Sequence, residues 1–435
     1  LETGATVVGR EPDSDGFLVD HETVSRRHLL VRWDEASGQH TAADLGSHNG
    51  SFVDGVAFPA GTAVPLRDGS VLRIGDALLV YERGPGLDGA EAADAGVSRE
   101  AAPGEGPAMC RFRARLARAA ADASTVLIIG ETGTGKERIA AEVHRLGGRP
   151  GPLIPLNCAA LSPQLVESQL FGHTKGAFTG ASAAQEGLFR AAEGGTLFLD
   201  EVGELPLELQ PKLLRAIEQR EVQPVGMVHP VRVDVRVVAA TNRDLAAASA
   251  SGAFRPDLYA RLSTWELRLP PLRERRADLF SWFDLFHRRW AAERGGGAAP
   301  ELTPEAAEAL LLCPWPLNLR GLERLVHELG ALVRAGGATG TEARALPRSA
   351  LPPWLLVAPE IGEGRPPLPP GAGGAERGGR RDASHDQAKI RRPSPSREEF
   401  IAVYQQWGGS VRAVAKHFRR DRRQIYRWLA SYGVR

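Results

Sequence analysis

Cysteine is scarce. The 435 residues hold three, Cys110, Cys158 and Cys313, and their spacing offers neither a disulfide framework nor a zinc site. Such usage suits a reducing cytoplasm, where the chain is expected to reside. No apolar run approaches the ~20 residues that span a bilayer. Nothing at the start reads as a signal peptide, so no membrane partner is expected. An excess of one charge is missing too. The 54 Lys+Arg stand against 53 Asp+Glu, which removes any global attraction to a polyanion. The balance breaks only locally: from Arg397 to Arg435, nine basic residues face three acidic ones, a net of +6. A chain this long implies about two to four domains. It opens on Leu1 rather than methionine, so the true N-terminus is expected upstream.

What is present centres on Gly130-Glu131-Thr132-Gly133-Thr134-Gly135-Lys136-Glu137. The apolar run Thr125–Ile129 precedes it and a helical pattern from Arg138 to Leu146 follows. Strand, glycine loop, lysine and helix in that order form a phosphate-binding loop. The glycines turn the backbone and aim N–H groups inward, and the helix N-terminus adds positive partial charge. Lys136 is placed to reach the β and γ phosphates of ATP. A glycine-rich turn that binds nothing is the bland alternative. Glu137 stands where Ser or Thr usually meets magnesium.

Around this loop strands alternate with helices: Leu153 to Asn157, Thr196 to Asp200, Val235 to Ala240. That is the signature of a parallel sheet covered on both faces. The strand Thr196–Asp200 ends in Asp200-Glu201. Beside a phosphate loop, Asp200 would hold magnesium and Glu201 would polarise the attacking water. Alone, the two acids would read as a helix cap.

The first segment, 1–84, reads differently. Short β runs (Thr6–Val8, Leu29–Trp33, Leu78–Tyr81) alternate with turn clusters such as Asp13–Gly16, Gly46–Gly50 and Asp54-Gly55. This is an all-β sandwich pattern. Gly9-Arg10, then Ser25-Arg26-Arg27-His28, then Asn49-Gly50 fall on its predicted loops. In that order they resemble the forkhead-associated (FHA) family, which binds phosphothreonine peptides. The resemblance implies that Arg10 and Ser25 bind phosphate, that Arg26 and His48 flank it, and that Asn49 holds the peptide backbone. His28 is implied as a brace. FHA domains usually carry two strands before the Gly-Arg pair, and only eight residues precede Gly9 here. Residues 85–104, rich in Gly, Ala, Asp and Glu, read as a flexible linker.

Within 105–338 lies Gly176-Ala177-Phe178-Thr179-Gly180-Ala181. General physics assigns it only a small, flexible loop with one aromatic. It is, however, the signature of the sigma-54-dependent activators, bacterial enhancer-binding proteins of the AAA+ ATPase class, and the whole segment resembles them. That family normally has Glu at the position of Glu137. The resemblance implies that these six residues contact sigma-54 in its RNA polymerase holoenzyme. It implies that Asn157 senses nucleotide through the catalytic glutamate, and that Asn242, in Thr241-Asn242, is the first sensor. Arg255 and Arg261, in Phe254–Leu262, would reach the γ-phosphate of a neighbouring subunit. A lid would open near Pro271, with Arg320, in Trp315–Arg320, as second sensor. Arginines supplied in trans require a homo-oligomeric ring, in this family a hexamer. Leu317, Arg190, Pro224 and Thr174 depart from the family pattern and bear on how nucleotide state reaches the loop.

Residues 339–395, heavy in Pro, Gly and Arg, read as a disordered linker. In 396–435 three helical patterns follow, the third capped by Asp421 with Ile425, Trp428 and Leu429 inward. Arg422, Arg423, Gln424 and Arg427 face outward. The arrangement resembles a Fis-type helix-turn-helix that reads enhancer DNA, with Arg419 where the turn glycine usually sits; the bland alternative is a basic helical hairpin. The whole reads as a multidomain chain: FHA β-sandwich, α/β P-loop AAA+ ATPase with a helical lid, and a small all-α DNA-binding unit. In place of a receiver domain the phosphopeptide module takes the input. Two rivals are a phosphopeptide-binding scaffold with a decayed ATPase, and a AAA+ remodeller acting on another protein.

Overall fold

The computed structural model describes residues 4–83, 96–159, 163–178, 181–294, 299–335 and 345–356, together with Phe400. Arg422, Arg423, Gln424 and Arg427 of the expected DNA-binding unit lie outside these residues, as do Thr179 and Gly180. The chain divides into two compact units, Leu1–Gly364 and Arg365–Arg435. All described residues but one belong to the first.

The N-terminal strands are β1 (Ala5–Gly9), β2 (Phe17–Leu18), β3 (Leu29–Asp34), β4 (Gln39–Asp44), β5 (Ser51–Val53), β6 (Val56–Phe58), β7 (Ala63–Pro65), β8 (Ser70–Ile74) and β9 (Ala77–Tyr81). They form two sheets, ordered β2-β1-β3-β4-β7 and β6-β5-β8-β9. Alternation puts one face of each sheet inside: Val8, Leu29, Val31, Ala42, Val53, Leu72 and Ile74 are buried together.

The central strands are β10 (Val126–Ile129), β11 (Leu153–Asn157), β12 (Gly172–His173), β13 (Gln185–Glu186), β14 (Thr196–Asp200), β15 (Glu221–Val222), β16 (Val231–Arg232), β17 (Arg236–Thr241) and β18 (Trp265–Arg268). Five of them make a parallel sheet, β11-β14-β17-β10-β18. Its residues divide by the two-residue period. Leu127, Leu197, Leu199, Val237 and Ala239 enter the core on one face. Val126, Ile128, Phe198, Val238 and Ala240 enter the core on the other. Both faces are therefore dry, and the C-terminal strand ends form the working edge. The Lys136–Gly147 helix leaves β10 through Gly135 (φ 101°) and stops at Gly148 (φ 63°), conformations that glycine adopts without strain.

A lid follows: helices Leu279–Arg294, Pro304–Leu312 and Asn318–Ala335 share a core of Trp282, Phe286, Trp315, Leu322 and Leu325. Two expected linkers are shorter than their composition implies. Residues 96–104 are packed, with Val97 and Ala102 buried against the Lys136–Gly147 helix and Ser98 N–H donating to Glu142 (2.6 Å). Likewise Leu351 and Leu355 are buried in the lid core, so the lid extends to 356. In both places a few apolar residues decide the packing, against a Gly- or Pro-rich background. Among the described residues no helix is long and apolar enough to cross a membrane.

Candidate nucleotide site, loop and phosphate basin

The sheet edge brings the expected residues together. Lys136 is buried, and its Nζ donates to the Gly130 carbonyl (3.0 Å) and to Glu201 Oε1 (3.3 Å). Glu201 Oε2 accepts from the backbone N–H of Asn242 (3.2 Å), and Asn242 Nδ2 donates to Thr132 Oγ1 (3.2 Å). Loop, acid and first sensor thus form one hydrogen-bonded cluster. Glu201 sits at φ 49°, a left-handed conformation rare for a residue with a side chain. Strain of this kind concentrates where the surrounding structure over-determines a working group. Burial, followed by the neighbouring Glu201 charge, raises the Asp200 pKa from its ordinary value. Two carboxylates pressed together beside a lysine suit a divalent cation. Asn157 and Asp200 are register partners on β11 and β14. The Asn157 side chain, however, accepts from Ala159 N–H (2.9 Å) and is not joined to Glu201.

The phosphate loop fits a nucleotide's phosphates. Gly133 and Gly135 have positive φ, and a Cβ on Gly133 would lie 2.2 Å from the Leu317 carbonyl. Thr134 Oγ1 donates to the Glu131 carbonyl (2.8 Å) and tightens the turn. Glu131, expected in the nucleotide-binding loop, turns its carboxylate to the lid. Arg273 grips it in a bidentate pair (2.6 and 2.8 Å), and Asn318 Nδ2 donates to it (3.2 Å). Charge pairing explains the choice: the guanidinium fork matches the carboxylate. Asn318 also donates to the Thr132 carbonyl (3.1 Å) and accepts from Leu272 N–H (2.8 Å). Leu319 N–H donates to the Gly133 carbonyl (2.9 Å), and Arg320 begins one residue on, exposed beside Gly133. Arg273 and Asn318 are functional residues the sequence reading passed over, although both lie inside motifs it noticed. Arg255 and Arg261 are exposed, and Arg255 pairs with Asp257 (2.6 Å) away from this cluster.

The loop signature rises on a two-stranded stalk, β12 paired with β13. At its base Ser168 and His173 share a buried hydrogen bond (2.7 Å), and the Phe178 ring tilts against His173 at 4.9 Å. A second segment braces it. Thr174 N–H donates to the Val225 carbonyl (3.0 Å), and a Cβ on Gly226 would meet Thr174 Oγ1 at 2.5 Å. Met227 and Val228 stand exposed beside it. Arg190 pairs with Glu186 of the stalk (3.3 Å).

The N-terminal sandwich has an open basin of about 610 Å³ lined by Arg10, Glu11, Ser25, Arg26 and Arg27. Gly9 is required by contact: a Cβ there would lie 2.1 Å from the Arg26 carbonyl. His28 is fully buried and braces the floor. Its Nδ1 accepts from Ser25 N–H (3.0 Å), so Nε2 carries the proton and donates to the Gly50 carbonyl (3.1 Å). Ser25 Oγ accepts from His48 N–H (3.2 Å), and Asn49 Nδ2 donates to the Thr23 carbonyl (2.8 Å). Arg27 is paired with Asp13 (3.4 Å), whereas Arg10 and Arg26 have no carboxylate partner among the described residues.

Comparison with known proteins gives two family matches: a sigma-54 interaction domain over residues 103–268 and an FHA domain over residues 6–75. The regulatory protein ZraR of Salmonella typhimurium is 46% identical over 246 residues, 56% of either chain. The response regulator FleR of Pseudomonas aeruginosa is 48% identical over 231 residues, 53% of this chain and 49% of FleR. The sequence match thus spans about half the length of these curated relatives. Crystal structures of NtrX from Brucella abortus are similar in fold. One is 29% identical with a TM-score of 0.54, covering 79% of this chain and 71% of NtrX. Another, in complex with ATP, is 30% identical with a TM-score of 0.52, covering 76% and 69%.

Proposed function

We propose that the chain, which carries a sigma-54 interaction domain of the AAA+ ATPase class behind an FHA domain, is an ATP-driven activator of sigma-54 transcription whose input is a phosphothreonine protein. The cluster Lys136–Glu201–Asn242 carries this reading, since it joins phosphate loop, acid and sensor at one sheet edge. Lys136 and the loop amides bind the phosphates, and Glu201 orients and polarises the attacking water. Asp200 is the residue to hold magnesium, which supplies charge neutralisation at the phosphoryl group. Arg255 and Arg261, exposed on the subunit surface, complete the site of a neighbour in a ring, a hexamer by family resemblance. Arg320 reports the nucleotide to the lid, and Asn157 joins the sensing in the assembled site.

Hydrolysis then moves the stalk that carries Gly176–Ala181 against sigma-54 of the polymerase holoenzyme. Anchorage to enhancer DNA falls to residues 396–435, with Arg422, Arg423, Gln424 and Arg427 as contacts. The setting is cytoplasmic. Arg10 and Ser25 take the phosphate of the phosphothreonine through charge-assisted bonds, with Arg26 and His48 flanking it and Asn49 holding the peptide backbone.

The test is a three-variant comparison in a purified transcription system. Lys136→Ala loses nucleotide binding. Glu201→Ala keeps binding and loses hydrolysis. Thr179→Ala hydrolyses ATP but forms no open complex. Near-normal hydrolysis by Glu201→Ala, or normal transcription by Thr179→Ala, overturns the reading.

A further inference from the structure

Part of the second sheet of the N-terminal sandwich, on β8 and β9, is covered by the lid. Val71 on β8 is fully buried, and it belongs to the apolar core of the lid, with Leu272, Leu279, Leu310 and Leu311. Leu78 and Val80 on β9 pack on the same core. A polar clasp crosses beside them. Arg73 Nε donates to Glu308 Oε2 at 3.1 Å, with side chains only 12% and 7% exposed, and the guanidinium also lies 3.6 Å from the centre of the Phe52 ring. Arg276 of the lid donates to the Gly69 carbonyl (2.5 Å). A Cβ on Gly55 would meet Leu312 at 3.1 Å. The phosphate basin lies on other loops of the sandwich and stays open.

The same lid holds the phosphate loop through Arg273, Asn318 and Leu319. Resting on the reading above, we infer that the FHA sandwich is an internal clamp on the ATPase lid, docked through Arg73–Glu308 and Val71, that favours the lid arrangement latched to the phosphate loop. The module is then more than a tethered sensor. It supplies part of the lid's core, and nucleotide affinity depends on its being docked. Reciprocity follows: a nucleotide that prefers the latched lid tightens the docking.

The experiment uses the full chain: wild type, Arg73→Glu, Glu308→Arg and the double exchange. Fluorescent ADP is titrated, and hydrogen–deuterium exchange is followed in residues 70–81 and 304–312. Arg73→Glu is expected to raise exchange in both segments and weaken ADP by about fivefold or more, the lower range of coupling between sites. Restoring the pair in reversed order recovers most of both. Binding of a phosphothreonine peptide stays as in wild type. Wild type needs no variant to fold: saturating ADP should slow exchange in residues 70–81. Unchanged ADP affinity in an undocked Arg73→Glu overturns the clamp and leaves the ATPase reading standing. So does exchange in residues 70–81 that ignores ADP. A wild type that binds no ADP overturns both together.

Discussion

Replacing Asn318 tests the latch between lid and phosphate loop. The residue is fully buried, sits at φ 48°, and makes three side-chain hydrogen bonds: to Leu272 N–H, to Glu131 and to the Thr132 carbonyl. Asn318→Ala removes all three and strands a buried N–H. At about 1 kcal/mol for each bond the loss is about 3 kcal/mol. Alanine at positive φ adds ~1 kcal/mol, because its Cβ crowds the carbonyl where asparagine is better tolerated. The sum, about 4 kcal/mol, corresponds to roughly a thousandfold faster local opening. Asn318→Gly separates the two contributions: it loses the bonds and escapes the crowding, so about 3 kcal/mol is expected. Hydrogen–deuterium exchange of residues 130–136 and 318–325 in the full chain reads local opening directly, where global unfolding of a multidomain chain is not two-state. A change below ~1 kcal/mol in both variants would refute the latch, since three bonds cannot vanish so cheaply from a buried site. Glycine behaving worse than alanine would refute the strain argument alone.

Gly9→Ala drives a Cβ into the Arg26 carbonyl, so phosphothreonine-peptide affinity should fall at least tenfold, with basin loop exchange rising; unchanged binding refutes the close approach. His28 is held neutral, its pKa lowered by burial against smaller raising effects from Gly50 and Asp44. Below about pH 6.5 the unfolded chain takes a proton the folded one refuses, so sandwich stability should fall on acidification by at most ~1.4 kcal/mol per pH unit. A flat profile of exchange in residues 25–31 between pH 7.5 and 5.5 contradicts this. Burial, then the charges of Asp200 and Glu201, push the Cys158 thiol up to about 12, so iodoacetamide should leave it unmodified at pH 8 in the folded chain while mass spectrometry finds it alkylated after denaturation. Arg261→Ala and Lys136→Ala, each inactive alone, should regain ATPase activity when mixed, because an intact site forms across two subunits; mixed rings without activity refute the trans role.

Local motifs were readable because their chemistry needs contiguous residues. The phosphate loop and Asp200-Glu201 fall where the sequence pattern placed them, between strand and helix and at a strand end, while Gly9 closes β1 and only Arg10 lies on the loop. Burial alternation on the central strands likewise follows the apolar runs. Partnerships between motifs were not readable. Asn318 and Arg273 lay in noticed runs, yet nothing local shows that the Glu131 carboxylate faces them. Arg73 and Glu308 stand 235 positions apart, and only the fold makes them neighbours. The linker boundaries failed for another reason: Val97, Leu351 and Leu355 are too few to set a hydrophobic period, yet each fills a gap in a core.

That separation of 235 positions also has a consequence in time. The sandwich leaves the ribosome first, with Val71, Leu78 and Val80 on its outer sheet, and their cover has yet to be made. At roughly 5–20 residues per second, the lid follows roughly 10–50 seconds later. For that interval the newborn module carries an uncovered sticky flank and no mate in its own chain. A neighbouring nascent chain on the same message, further along in synthesis, would offer a finished lid to it. Polysome spacing thereby becomes a factor in whether each module closes on its own ATPase or on its sibling's.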